Sequence, residues 1–264
     1  MLAYYAAGNP ENPMIVLVHG VCDSATAWAD LTAHLAQRYF VVALDSLGHG
    51  LSRRYRDGEL AAPGDAAIAE MESTLEYLEQ LYERKPIVIS HSMGAAITSK
   101  LSTLRPDLLR GMILEDPAWL SEEQKAGYRE RAQEQVATSQ ELWRADPAGT
   151  VRGNHEQRPN WSAASHFGWA FGKALVDERL LATGIVSFPD DWREIARRIC
   201  VPALVVTSDT NEVLIGIEGV SAIAELGNAA IATAIIPGTG HGVRLSKPEE
   251  FHALVDEQLA QWAE

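Results

Sequence analysis

Cysteine is nearly absent: Cys22 and Cys200 are the only two in 264 residues, too few for a disulfide framework or a four-thiolate metal site. The expectation is two reduced thiols and no metal. Basic residues are also scarce, 22 Lys and Arg against 36 Asp and Glu, for a formal charge of −14. Neutralising phosphates needs the opposite balance, so neither nucleic acid nor an anionic membrane surface is an expected partner. No apolar run approaches the ~20 residues that span a bilayer; stretches such as Met14–Val18 and Ala229–Ile236 suit buried strands instead. The start, Met1-Leu2-Ala3-Tyr4-Tyr5, has no basic segment ahead of an apolar one, which points to a cytoplasmic protein. Repeats, low-complexity tracts and charge blocks are missing too. With 47% hydrophobic and 22% charged residues, the composition is that of a folded domain with a substantial core.

What is present alternates. Short β-branched runs at Met14–Val18, Phe40–Leu44, Pro86–Ser90, Met112–Glu115, Ala203–Thr207 and Ala230–Ile236 are separated by segments with apolar residues at helical spacing. Those segments are Ala25–Tyr39, Asp65–Tyr82, Met93–Arg105, Ile217–Leu226 and Pro248–Trp262. The pattern predicts an α/β fold, a mostly parallel twisted sheet with helices on both faces. Between Asp116 and Pro202 no strand is legible, and so long a crossover reads as an inserted helical subdomain. The expected division is a core of residues 1–117 and 194–264 with an insertion at 118–193. Trp119, Trp143, Trp161, Trp169 and Trp192, most of the seven tryptophans, fall in that stretch.

The chemistry begins at Ile87-Val88-Ile89-Ser90-His91-Ser92-Met93-Gly94-Ala95-Ala96, an apolar strand running into a small-residue helix start. This reads as a nucleophile elbow, in which small neighbours let a serine sit on a sharp strand-to-helix turn. Ser90 replaces the usual first glycine. A second signal, Val16-Leu17-Val18-His19-Gly20-Val21, closes the first buried strand. A third, Asp45-Ser46-Leu47-Gly48-His49-Gly50-Leu51-Ser52, is a glycine-rich turn in which His49 is read as structural. The fourth is Ile236-Pro237-Gly238-Thr239-Gly240-His241-Gly242, after the last strand and before the last helix. A serine hydroxyl attacks only when a nearby imidazole takes its proton, which makes His241 the candidate base.

In this order the four motifs resemble the α/β-hydrolase superfamily, in its serine esterase and lactonase branch. The resemblance covers about residues 10–116 and 196–262. It implies Ser92 as nucleophile, His241 as base, and backbone N–H groups of Val21 and Met93 as the oxyanion hole, with no cofactor and no metal. The triad's acid stays open. Where relatives carry G-x-x-D after the penultimate strand, this chain has Ser208-Asp209-Thr210-Asn211-Glu212, with asparagine at the acid's position. Asp209 and Glu212 flank it. Some relatives take the acid from the preceding strand end, where Glu115-Asp116-Pro117 places Asp116. Asp116 ranks first, Glu212 second and Asp209 third.

The resemblance implies hydrolysis of an uncharged carboxylic ester or lactone through an acyl-enzyme, with the insertion as a helical cap over the pocket. Trp119, Trp143, Trp161 and Trp169 are candidate contacts for an apolar or aromatic substrate portion. Two alternatives stand beside this: carbon–carbon bond hydrolysis of a ring-cleavage product, and a slow-turnover ligand receptor on the same fold. Cleavage of diketo acids needs basic groups for the substrate's carboxylates, and along the chain Arg and Lys are sparse around the motifs. Arg53, Arg54 and Arg56 form the one nearby cluster, and a solvated loop accounts for it.

Overall fold

The computed structural model describes residues 1–263. Its strands are β1 (Tyr4–Ala7), β2 (Met14–Val18), β3 (Phe40–Leu44), β4 (Ile87–His91), β5 (Gly111–Glu115), β6 (Ala203–Thr207) and β7 (Ile231–Ile235). They form one sheet in the order β1-β3-β2-β4-β5-β6-β7, in which only β1 runs antiparallel to its neighbour. Strands β2 to β6 are buried along their whole length. That explains their unbroken apolar runs, because a parallel strand covered on both faces has no polar side to alternate with.

The helices are α1 (Ala29–Leu35), α2 (Pro63–Tyr82), α3 (Ser92–Leu104), α4 (Glu122–Glu130), α5 (Ala132–Thr138), α6 (Pro147–Gln157), α7 (Ala163–Ala174), α8 (Glu178–Thr183), α9 (Trp192–Arg198), α10 (Gly216–Leu226), α11 (Val243–Ser246) and α12 (Pro248–Ala263). Val16, Val18, Val42, Leu44 and Val88 point to one face and pack on Leu75 and Leu78 of α2, Ile97 and Leu101 of α3 and Ile195 of α9. Ile15, Leu17, Val41 and Ile89 point to the other, against Leu31 and Leu35 of α1 and Phe251, Val255 and Leu259 of α12. The α12 trio recurs every fourth residue, one stripe of the helix. Full burial of side chains of this size contributes about 2 kcal/mol each. Among the described residues no helix is long and apolar enough to cross a membrane.

Two details depart from the sequence reading. Strand β1 is unannounced, being a four-residue edge strand with no alternation. The helix expected over Ala25–Tyr39 is a 3-10 turn, Ala25–Trp28, followed by the short α1, because residues after Leu35 turn the chain into β3. Helices α4 to α8 occupy the stretch between β5 and the start of α9, with a π-helical turn at Ser139–Arg144. This stretch is tied to α1 by hydrogen bonds from Ser162 and Ser165 to Asp30 (2.7 and 2.8 Å), and to the loop after β3 by one from the Tyr55 N–H to Asp177 (3.0 Å). Glu264, the last residue of the expected core, lies outside the described residues.

Candidate active site

The four motifs converge at the C-terminal edge of the sheet, where each strand hands the chain to a loop. Strand β4 ends at His91 and hands the chain to Ser92, which has a φ of +53° and opens α3. A left-handed φ on a non-glycine residue is strained, and it turns the serine out of the strand direction at the head of the helix. Two glycines make room. A Cβ on Gly94 would lie 2.4 Å from the His19 carbonyl oxygen, and one on Gly20 would lie 2.9 Å from both Ser92 Cβ and His91 Nδ1. The turn after β2 therefore presses directly on the elbow. At Ser90 the hydroxyl is buried without a hydrogen-bond partner, so serine serves there only as a small residue.

The loop after β2 is held by two buried histidines. His19 Nδ1–H donates to the Gly20 carbonyl (2.7 Å) and its Nε2 accepts from the Ser46 N–H (2.9 Å). His49 Nδ1–H donates to the Leu47 carbonyl (2.9 Å) and its Nε2 accepts from the Cys22 N–H (3.3 Å). Burial pushes His19 down to about 4 and His49 to about 3; Arg244 adds to the first shift and His19 to the second, while Asp23 opposes the second. Both are neutral clamps. They fix the turn that carries Val21, whose N–H, like that of Met93 in the first turn of α3, has no acceptor among the described residues. Two unpaired donors flanking a serine can receive a developing oxyanion.

His241 follows β7. Its Nδ1–H donates to Asp116 Oδ2 at 2.5 Å, which leaves Nε2 free to accept a proton. Asp116 follows β5, is fully buried and has a φ of +38°. Its carboxylate also accepts from Thr207 Oγ1 (2.9 Å), the Leu214 N–H (2.8 Å) and the Ile215 N–H (3.3 Å). These donors fix the orientation of the carboxylate. The residue before it, Glu115, is buried against Arg244 and accepts from that residue's N–H (2.8 Å) and Nη1–H (2.6 Å). Adjacent carboxylates thus grip both sides of the loop that carries His241. The His241 carbonyl accepts from His91 Nε2–H at 3.0 Å, and the two rings lie 4.5 Å apart.

The other two candidate acids stand elsewhere. Asp209 is exposed and accepts from the Gly238 N–H at 2.7 Å, a bond that holds its carboxyl below the usual range. It pins the histidine loop from outside. Glu212 is exposed at the rim, beside Gly240.

Ser92, His241, Val21 and Glu212 line a cavity of about 770 Å³. The stretch between β5 and α9 contributes Tyr128, Trp143, Trp161 and Trp169 to its lining. Trp119 does not reach it. That side chain is buried in the core, stacked on Trp192 at 5.2 Å, with its indole N–H donating to Ser99 Oγ at 3.0 Å. Its place directly after β5 and Pro117 drives it under the sheet's end, which corrects the expectation of a substrate contact. A second correction concerns basic groups. Arg158 and Lys173 line the same cavity, so the sparseness of cations around the motifs holds along the chain and not in space. Among the described residues no cluster of His, Cys, Asp and Glu suits a metal ion.

The sequence profile of the alpha/beta hydrolase family matches residues 15–254. The chain belongs to the alpha/beta hydrolase family. Among curated relatives of this hydrolase family, (E)-2-((N-methylformamido)methylene)succinate hydrolase of Acinetobacter baylyi is 33% identical over 110 residues, 41% of this chain and 38% of that one. The first curated relatives are thus matched over only 30 to 38% of their length. A probable esterase of Oryza sativa subsp. japonica is 25% identical over 253 residues, covering 92% of this chain and 89% of that one. Among solved structures, E-2-(acetamidomethylene)succinate hydrolase superposes with a TM-score of 0.79 at 18% identity, over 97% of this chain and 94% of that chain.

Proposed function

We propose that the protein is a serine hydrolase that cleaves a carboxylic ester or lactone through an acyl-enzyme. The observation that carries this reading is the bond from His241 Nδ1–H to a buried, fully hydrogen-bonded Asp116, with Nε2 left free in the cavity that the strained Ser92 also lines. In this reading Ser92 Oγ attacks the carbonyl carbon while His241 Nε2 takes its proton. The carbonyl oxygen becomes an oxyanion between the Val21 and Met93 N–H groups, a contribution of several kcal/mol in a site that excludes water. Collapse expels the alcohol oxygen, which takes the proton from His241, and leaves the acyl group on Ser92. Water, deprotonated by His241, then attacks the ester, releases the carboxylate and restores the serine.

The helices between β5 and α9 act as the cap in this proposal, and Trp143, Trp161 and Trp169 offer an apolar body its surface. Membership of a hydrolase family supports the reaction type, and relatives named as a probable esterase and a succinate-derivative hydrolase are compatible with it.

The test is labelling with a fluorophosphonate followed by peptide mass spectrometry, with 4-nitrophenyl esters as turnover probes. The expected adduct is on Ser92, lost in Ser92→Ala, with multiple turnovers in wild type. His241→Ala should lower kcat by about 10³ or more. Labelling at another residue, or full activity in Ser92→Ala, overturns the assignment. A Ser92 adduct formed without repeated turnover would favour the receptor reading instead.

A further inference from the structure

Two cations share one tryptophan ring in the lining of the cavity that also holds Ser92. Lys173 Nζ stands 4.1 Å from the ring centroid of Trp169 and 5.2 Å from that of Trp143. The guanidinium carbon of Arg158 lies 5.8 Å from the same Trp169 ring and 5.2 Å from Trp161. Both cations are half-buried, and both line the cavity that holds Ser92 and His241. Among the described residues neither has a carboxylate within 4.0 Å, although the chain carries 36 acids for 22 bases. The cavity's own acids are placed elsewhere: Asp23 lies 3.8 Å from Arg244, and Glu212 sits at the rim. Arg158 bonds only neutral partners, the side-chain oxygens of Asn154 (2.8 Å) and Gln157 (3.2 Å).

Indole faces attract these cations without neutralising them. Two like charges sharing one ring, partly withdrawn from water, repel one another, and an anion placed between them removes that cost. Trp143, Trp161 and Trp169 make the surroundings apolar and aromatic. The charge of Lys173 also acts on the thiol of Cys22, the residue after Val21, though burial still raises that thiol to about 11. The residue before Lys173, Gly172, packs on the loop that carries Val21 and Cys22, where an added Cβ would lie 2.6 Å from the Asp23 carbonyl carbon. Arg158 ends α6 and Lys173 lies in the last turn of α7. Helix C-termini carry partial negative charge, so this location suits a singly charged anion better than a dianionic phosphate.

We propose that Arg158 and Lys173 form a carboxylate-binding subsite, so that the substrate is an ester or lactone with an aromatic or apolar body and a second, ionised carboxylate away from the scissile bond. This rests on the acyl-transfer reading for the bond cleaved, and revises the expectation of an uncharged substrate. The product of such a cleavage carries two carboxylates, one newly formed at Ser92 and one held at the cations throughout.

Binding to Ser92→Ala separates the subsite from the chemistry, because no turnover is read. The probes are phenylacetate, its neutral twin phenylacetamide, and phenyl phosphate, followed by tryptophan fluorescence and calorimetry. Phenylacetate should bind at least tenfold more tightly than phenylacetamide, a preference that shrinks with added salt. Adding Lys173→Met or Arg158→Gln to the Ser92→Ala background should remove most of that preference, with folding checked by circular dichroism. Equal binding of the two twins, or a preference that survives both substitutions, overturns the proposal. Tighter binding of phenyl phosphate overturns the carboxylate assignment. Should a variant fail to fold, the twin comparison and its salt dependence in Ser92→Ala alone still decide. In wild type, phenyl hydrogen succinate should exceed phenyl butyrate in kcat/KM by about tenfold. Failure of both esters, with phenylacetate still preferred in binding, would sink the acyl-transfer reading and leave the subsite standing.

Discussion

Asp116 Oδ2 and His241 Nδ1 lie 2.5 Å apart although 125 positions separate them in the chain. The pairing is built from two strand ends. Asp116 leaves β5 and His241 leaves the loop after β7, and β6 between them contributes Thr207, whose hydroxyl donates to the same carboxylate. Below, Glu115 and Arg244 repeat the linkage one residue away, where the guanidinium lies 4.0 Å over the Trp28 ring. A buried ion pair is poor evidence of net stability, but removing one partner leaves an uncompensated charge. Its consequence here is positional: the chain on both sides of the imidazole is fixed.

The first prediction concerns that carboxylate. Asp116→Asn replaces an acceptor of four hydrogen bonds with an amide that must point one NH2 at a donor. The expected loss of kcat is about 10⁴, through the wrong imidazole tautomer and an unstabilised imidazolium. A stability loss of about 1–3 kcal/mol should accompany it, since a buried donor loses its acceptor. Asp209→Asn and Glu212→Gln should each change kcat by less than about tenfold. Steady-state kinetics and urea unfolding on the three variants check this; a silent Asp116→Asn with a crippled Glu212→Gln would reverse the ranking.

The strands and the order of motifs were legible because burial on both faces leaves five-residue apolar runs with no polar alternation. The elbow was legible for a local reason, since Gly94 and the small residues around it are imposed by close backbone approach. The acid was only ranked. Asp116 carries no local mark that distinguishes it from Asp209; what selects it is the set of N–H groups at Leu214 and Ile215, which arrive from another loop. The tryptophans illustrate the same limit. Helical spacing and composition could not separate Trp119, which enters the core, from Trp161 and Trp169, which face the cavity. Arg158 and Lys173 carry no mark in the sequence, because they are distant along the chain from the motifs they join in space.

The second prediction follows from that division of tryptophans. Trp119→Ala should destabilise the protein by about 3–5 kcal/mol, because it opens a cavity against Trp192 and strips Ser99 Oγ of its donor. Trp161→Ala, at a half-buried site, should cost less than about 1.5 kcal/mol while altering KM for aromatic esters. Thermal unfolding and kinetics on both variants would distinguish them. Similar stability losses, or a KM effect confined to Trp119→Ala, would contradict the placement of these rings.

The last prediction is a pH window. Burial lowers His19 to about 4 and His49 to about 3, and drives His91 well below its ordinary value. In the unfolded chain each imidazole titrates near ~6.5. Between about pH 6.5 and pH 4 the unfolded state therefore binds protons that the folded state refuses, and stability must fall as pH falls. The slope is about 1.4 kcal/mol per pH unit for each such group. It eases below about 4, where folded His19 begins to protonate, and again near 3 for His49. Glu115 acts in the opposite sense, because burial raises its carboxyl and proton uptake by the folded state is then stabilising. The histidines outnumber it, so the net sign above pH 4.5 is loss on acidification. Urea unfolding at pH 7.5, 6.0 and 5.0 should show a steadily falling free energy. His49→Asn should flatten that slope by about one proton whatever its effect on absolute stability. A profile that stays level from pH 7.5 to 5.0, or a slope unchanged in His49→Asn, would show that these rings are not held neutral by the fold.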